Sequence, residues 1–304
     1  MVQKNSKLII IAGPTCSGKS GLALDLAKRI NGAIISVDSM QIYKEMNIGT
    51  AKTLPSEFAG IPYYLTDIVS PSESFSVAEY KLLADKAIDE IISLKKYPIA
   101  VGGTGLYINS LIYPMSFGKS EKNEELRNKL NLELSEYGAE FIHNKLRALD
   151  PVSAERLHKN DTRRVIRAIE IAQDGKNTMT ENKDEMSPIR DYIMIGLDIP
   201  REILYMKINE RVEIMFNNGL LGEVEALRNK YSFDYQAMQA IGYKEFINYF
   251  EGKSDINSVK ELIKKNTRNY AKRQMTWLRK YDKIKWFNPL KDYDNAIEYI
   301  MRNI

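Results

Sequence analysis

A chain of 304 residues with 44% hydrophobic content is long enough for one sizeable core and an appended or inserted second unit. Its net charge of +4 is too small to diagnose a nucleic-acid partner by itself. One cysteine excludes an intramolecular disulfide, and with only His143 and His158 beside it no Cys/His zinc site or Cys-His nucleophilic pair is available, which reads as a reduced, cytoplasmic protein.

The basic start, Met1 to Lys7, superficially resembles a secretion signal, but the apolar run Leu8 to Ala12 leads directly into Gly13-Pro14-Thr15-Cys16-Ser17-Gly18-Lys19-Ser20. A strand, then Gly-x4-Gly-Lys-Ser, then a helix is the context a phosphate-binding loop requires. The glycines let backbone N–H groups curl around an oligophosphate, Lys19 reaches its outer oxygens, the Ser20 hydroxyl holds a magnesium ion and the helix dipole adds positive charge. A diphosphate or triphosphate is therefore the expected ligand, and Cys16 reads as a small filler. No other segment approaches membrane-spanning length.

Leu22, Leu26 and Ile30 predict an amphipathic helix over 21–30 with a glycine stop at Asn31-Gly32. Ala33 to Val37 reads as a buried parallel strand ending at Asp38, which places that carboxylate beside the bound phosphates. Ser76-Val-Ala-Glu79 is a capping box, with Phe75 and Tyr80 as its hydrophobic staple, opening a helix to about Leu94. Pro98 to Val101 is a third strand that breaks at Gly102-Gly103 and puts Thr104 at the crevice rim. This alternation is the signature of an α/β fold, a P-loop NTPase-like doubly wound parallel sheet.

From about Ser116 to Ser187 the sequence turns charged and helix-forming, which predicts a helical insertion domain over 118–187 within a core of 1–117 and 188–304. Asp161 reads as the N-cap of a helix through about Gln173 that stops at Gly175 and carries Arg163, Arg164 and Arg167 on one side. Tyr192 to Leu197 returns to buried-strand character, and Pro200 opens a helix bearing Arg211, within reach of an oligophosphate. The last third reads as helical, punctuated by Gly219, Gly242 and Gly252. Within it, 260–285 is basic, with Lys264, Arg268 and Lys272 at four-residue steps and Tyr270, Trp277, Tyr281 and Trp286 interleaved. Such a stripe either tracks a phosphate backbone or is a solvated helix face with Trp277 and Leu278 in the core; the residues alone leave both open.

Together these motifs resemble the tRNA dimethylallyltransferases, also called tRNA isopentenyltransferases. The matching pieces are the phosphate loop, Ile35-Ser-Val-Asp-Ser-Met-Gln-Ile-Tyr43, Ile48-Gly-Thr-Ala-Lys52, Gly102-Gly-Thr-Gly-Leu-Tyr107, Asn160-Asp-Thr-Arg-Arg164 with Arg167-Ala-Ile-Glu170, Ala240-Ile-Gly-Tyr-Lys-Glu245 and Lys272-Arg-Gln-Met-Thr-Trp-Leu-Arg279, in family order over almost the whole chain. The resemblance implies transfer of a dimethylallyl group from dimethylallyl diphosphate to N6 of the adenine beside the anticodon, with Mg2+. It implies Asp38 as general base, Arg211 as catalytic arginine, Thr104 as a substrate-holding residue, and Thr15, Ser17, Lys19 and Ser20 on the diphosphate. It further implies tRNA contacts, with the anticodon stem-loop, from Asp38, Ser39, Met40 and Gln41, from Arg163, Arg164, Val165, Ile166 and Arg167, from Gln239, Ala240, Ile241, Gly242, Tyr243 and Lys244, and from Lys272, Arg273, Gln274, Trp277 and Arg279. Gln239 stands where some relatives carry arginine. A monomer without membrane attachment is expected.

Three other readings stay open at this point. A P-loop kinase of small metabolites is permitted by the loop, although such an enzyme usually completes its magnesium site with an apolar strand ending in Asp, where this chain has Val101-Gly-Gly-Thr104. A prenyltransferase of free adenine nucleotides would need neither the insertion nor the basic helix. A non-catalytic RNA-binding protein would have no use for an intact Lys19, Ser20, Asp38 and Arg211.

Overall fold

The computed structural model describes residues 7–58, 60–115, 123–174 and 187–304. Chain order runs β1 (Leu8–Ala12), α1 (Lys19–Ile30), β2 (Gly32–Val37), β3 (Tyr63–Tyr64), α2 (Val77–Ser93), β4 (Tyr97–Gly102), α3 (Gly105–Ile112), α4 (Glu124–Leu149), α5 (Pro151–Arg156), α6 (Thr162–Gln173), β5 (Tyr192–Leu197), α7 (Arg201–Asn217), α8 (Leu220–Arg228), α9 (Ile247–Phe250), α10 (Ile256–Leu278), β6 (Lys285–Phe287) and α11 (Tyr293–Asn303). It divides into two compact units, Met1–Tyr113 with Pro188–Ile304, and Pro114–Ser187.

In the first unit six strands form one sheet in the order β3-β2-β4-β1-β5-β6, every pair parallel. Parallel strands joined by helices are covered on both faces, which is why β1 is apolar at every position. Alternate side chains of β1 enter separate cores: Leu8, Ile10 and Ala12 pack with residues of α2, α3 and α10, and Ile9 and Ile11 with residues of α1 and α11. The register sets Ala12 and Val37 level with Gly102. The turns leaving β1, β2 and β4 therefore open at one height of the sheet edge.

The capping box forms as expected: the Glu79 amide donates to Ser76 Oγ (3.3 Å) and the Ser76 amide to Glu79 Oε2 (2.7 Å). The stop of α1 differs. Asn31 takes the left-handed conformation (φ 54), and Gly32 already belongs to β2, where a Cβ would come within 2.6 Å of Ile99. Two strands escaped the sequence pattern. β3 is only a two-residue edge, and β6 begins inside the basic segment, where Lys285 and Trp286 had been read with the helix.

The second unit packs α4, kinked at Gly138 (φ 82), with α5 and α6. Val165 (0% exposed) and Ile166 (6%) are core residues here, so their side chains do not meet RNA; Arg163 and Arg164 are exposed on the opposite side of α6. Asp161 precedes α6 but makes no side-chain cap; its carboxylate lies 3.6 Å from Arg164. The expected stop at Gly175 and the expected boundary at 117–118 lie outside the described residues.

Glu170 is a buried carboxylate of this unit. Arg127 donates to both its oxygens (2.8 Å each), Arg167 adds a bond of 3.0 Å and the Asn123 amide another of 3.0 Å. Burial is the largest effect on its carboxyl and opposes ionisation, but the bonds from Arg127, Arg167 and Asn123 together outweigh it and hold the carboxyl below its ordinary value. We predict that Glu170→Ala destabilises this unit by about 3 kcal/mol in chemical denaturation, since both arginines lose their buried partner. Because the folded carboxyl titrates lower than the unfolded one, this contribution is complete above the ordinary 4.5 and is lost as pH falls through the depressed value; a wild-type midpoint equally high at pH 3 and pH 6 contradicts it.

Candidate active site

The loop leaving β1 returns as α1, whose N-cap Gly18 is left-handed (φ 88) and whose first turn holds no acidic residue and no capping side chain. Its leading amides and dipole are thus left to an external anion. Gly13 is required by crowding, as a Cβ would stand 2.8 Å from Ser17 Oγ and 3.0 Å from the Leu197 carbonyl. Cys16 is buried with Ile199, Leu204, Ile208 and Ala271, the filler its size predicted.

Lys19 Nζ donates to the Pro14 carbonyl (2.5 Å) and reaches Ser17 Oγ (3.5 Å). Burial first, and repulsion from Arg211 second, lower its ammonium to about 8 from the usual 10.5. Two cations held in one desolvated corner have an unfilled need for negative charge. From α7, Arg211 Nη1 donates to Thr15 Oγ1 (3.3 Å). From α10, Gln274 accepts the Thr15 amide at Oε1 (2.9 Å).

Asp38 begins the turn after β2. Its Oδ1 accepts the Met40 and Gln41 amides (2.9 and 3.4 Å), which leaves the lone pairs of Oδ2 for another partner. Thr104 is half-exposed and bonds two residues of the cavity wall, accepting the Ser39 amide at 3.3 Å and contacting the Tyr270 hydroxyl, so it supports the Asp38 turn.

These pieces surround one cavity of about 480 Å³ that runs from Thr15–Ser20 to Asp38–Gln41. Ile208, Val212 and Met215 of α7, Ile263 of α10 and Ile241 give it an apolar flank, and Thr267, Tyr270, Arg273 and Gln274 complete the α10 wall. Gln239 and Ala240 also line it, while Gly13 and Pro14 lie behind the loop. The space suits a small branched hydrocarbon carrying an oligophosphate, with a carboxylate facing its far end.

Several residues expected to face a nucleic acid are occupied. Gln274 is only 5% exposed and serves the phosphate loop. Trp277 packs on Gly105, where a Cβ would come within 2.1 Å of the indole; the core reading of that tryptophan is the one observed. Tyr243 and Gly242 are buried, and the Tyr243 hydroxyl donates to Glu223 (2.7 Å). Lys264 is held by Glu213 and Glu261 (2.8 and 2.7 Å) and Arg268 by Asn209 (2.6 Å), which occupies two of the three residues spaced at four-residue steps. Lys244, Lys272, Arg273 and Arg279 stay exposed, Arg279 lying 3.7 Å from Asp198. Arg163 to Arg167 belong to the other unit. Tyr63, Met215, Thr267 and Tyr270 line the cavity without having been singled out for it. For the three on helices, Met215, Thr267 and Tyr270, only spacing hinted at burial, and that pattern does not separate cavity wall from core; Tyr63 sits on the two-residue β3, which gives no pattern.

Comparison with known proteins agrees with this geometry. The family model described as IPP transferase matches residues 41–281. A tRNA dimethylallyltransferase of Acetivibrio thermocellus is 48% identical over 98% of this chain and 96% of its own length, and that of Clostridioides difficile is 46% identical over 97% and 95%. The crystal structure of the full-length tRNA isopentenylpyrophosphate transferase of Bacillus halodurans superposes with a TM-score of 0.74 at 41% identity, covering 98% of this chain and 95% of that one. A eukaryotic dimethylallyltransferase acting on tRNA gives 0.81 at 30% identity, covering 98% and 78%. With a family model matched over most of its length and relatives near half identical across nearly all of it, the chain belongs to the IPP transferase family.

Proposed function

We propose that this protein transfers the dimethylallyl group of dimethylallyl diphosphate to N6 of adenosine 37, beside the anticodon of a tRNA, releasing diphosphate, and that it does so as a cytoplasmic monomer. The carrying observation is the single cavity joining the Lys19–Arg211 cation pair to the Asp38 carboxylate. One end supports a leaving anion and the other a base.

The α1 amides, Lys19, Thr15 and Arg211 bind the diphosphate and neutralise the charge that grows on its bridging oxygen as the carbon–oxygen bond breaks. Ser20, exposed at the start of α1, would hold Mg2+. Such an ion could take its remaining ligands from the diphosphate and water. When bound, Mg2+ shares the negative charge of the leaving diphosphate. The apolar flank from α7 holds the five-carbon chain and keeps water from its reacting carbon. The adenine amine is weakly nucleophilic because its lone pair is delocalised, so Asp38 accepts the N6 proton as the carbon–nitrogen bond forms. The base must leave the anticodon-loop stack to reach this depth. Exposed Lys272, Arg273, Arg279 and Lys244, with Arg163 and Arg164, supply phosphate contacts.

A kinase reading is not favoured. β4 ends at Gly102 and Gly103, where a Cβ would come within 2.1 Å of the Val37 carbonyl and 2.1 Å of Gln274, so no acidic side chain fits there.

Lys19→Ala is expected to remove about 2 to 4 kcal/mol of transition-state stabilisation while leaving tRNA affinity intact; an equal loss of tRNA binding in a filter assay would break the assignment. Since anions bind the ammonium form, kcat/KM for dimethylallyl diphosphate should fall as pH rises past about 8. A flat profile between pH 7 and 9.5 rules out Lys19 titration in the free enzyme. Asp38→Asn should lower turnover by roughly 100-fold with little change in either substrate's affinity; excess magnesium restoring the rate would make Asp38 a metal ligand instead.

A further inference from the structure

Glu223 lies on α8, outside the cavity, and its carboxylate is fully engaged. Oε2 accepts the amides of Asn47 (2.9 Å) and Ile48 (2.8 Å), and Oε1 accepts the Gly49 amide (3.0 Å) and the Tyr243 hydroxyl (2.7 Å). Three successive amides turned toward one anion form a nest that only an ionised acid can fill on both oxygens. The segment it grips continues directly into the cavity wall as Gly49, Thr50 and Ala51. Gln41, also in the wall, donates from Nε2 to the Thr50 and Ala51 carbonyls (3.3 and 3.4 Å), and the Gln41 amide bonds Asp38. A chain of contacts thus leads from Glu223 to the base.

An adjoining stretch of the wall is tied to the same point. Tyr243 follows Gln239–Ile241, and its ring lies so close to Gly49 that a Cβ there would be 2.5 Å away. Lys52 braces the segment from within, donating to the Tyr43 carbonyl, Asn47 Oδ1 and Asp67 (2.7, 3.0 and 2.6 Å). Among the described residues the phosphate loop is instead supported from other helices, by Gln274 and Arg211.

We infer that Glu223 is a positioning residue for the acceptor base: by clamping Asn47 to Gly49 against Tyr243 it fixes two adjoining stretches of cavity wall, Gly49 to Ala51 and Gln239 to Ile241, against which the adenine packs, and it acts on the acceptor and not on the donor. This rests on the tRNA-prenylating reading of the cavity. Glu223→Gln preserves shape but sets an amide donor against backbone donors. With dimethylallyl diphosphate saturating and tRNA varied, kcat/KM for tRNA should fall roughly 10- to 100-fold, as expected for a misplaced reactant, while the dissociation constant of dimethylallyl diphosphate, measured by calorimetry, stays within about twofold. Glu45→Gln serves as the control, since Glu45 tethers the same segment to Lys230 and Tyr231 through exposed contacts only; it should leave kcat/KM within about twofold, surface pairs being weak. An unchanged kcat/KM for tRNA in Glu223→Gln, or donor affinity falling in step with it, overturns the inference. If Glu223→Gln does not fold, Tyr243→Phe, which deletes one of the four bonds, is held to the same split at roughly 3-fold. Absence of transfer by the wild-type protein would instead defeat the underlying reading, so the two failures are distinguishable.

Discussion

Ala12, Val37 and Gly102 end three adjacent parallel strands at one level, and this register is the constraint on which the site depends. A parallel sheet delivers its successive turns to the same edge. The phosphate loop, the Asp38 turn and the Gly102–Gly103 break are therefore neighbours, although they are distant in sequence. The glycines at β4 are part of the same constraint, because any side chain there would collide with Val37 or Gln274. The end of β4 thus presents backbone at Gly102 and Gly103, beside the Val101 side chain.

Charge does the remaining work. Lys19 and Arg211 are held close enough to repel, Lys19 half-buried and Arg211 tethered to Thr15, a repulsion that a bound diphosphate would relieve. Asp38 sits on the same cavity with one oxygen occupied by backbone and the other available. Separating a cationic end from a carboxylate end within one desolvated space allows a leaving anion and a departing proton to be handled at once.

Much of this was legible in the sequence, for reasons that can be named. The phosphate loop, the strand ending at Asp38 and the Ser76–Glu79 cap are short-range patterns whose residue types dictate local geometry. The basic segment was legible only as charge. Sequence spacing does not say which lysines meet carboxylates, and Glu213, from α7, neutralises Lys264 from across the fold. Gln274 looked like part of an RNA-facing run, yet it is buried, because α10 turns that side to the phosphate loop. Val165 and Ile166 illustrate the same limit: a run chosen for its arginines carries core residues among them. β3 and β6 escaped because strands of two and three residues at a sheet edge leave no periodic signal. Glu223 was invisible because three of its four partners are backbone amides, which no sequence pattern displays.

The central claim is that one cavity joins the prenyl diphosphate to the adenine. Incubating the protein with dimethylallyl diphosphate, magnesium and unmodified tRNA, then digesting the RNA for mass spectrometry, tests it most directly. A five-carbon adduct on the adenosine beside the anticodon, formed without ATP, is the predicted result; unmodified adenosine accompanied by saturable ATP turnover that ignores tRNA would contradict it.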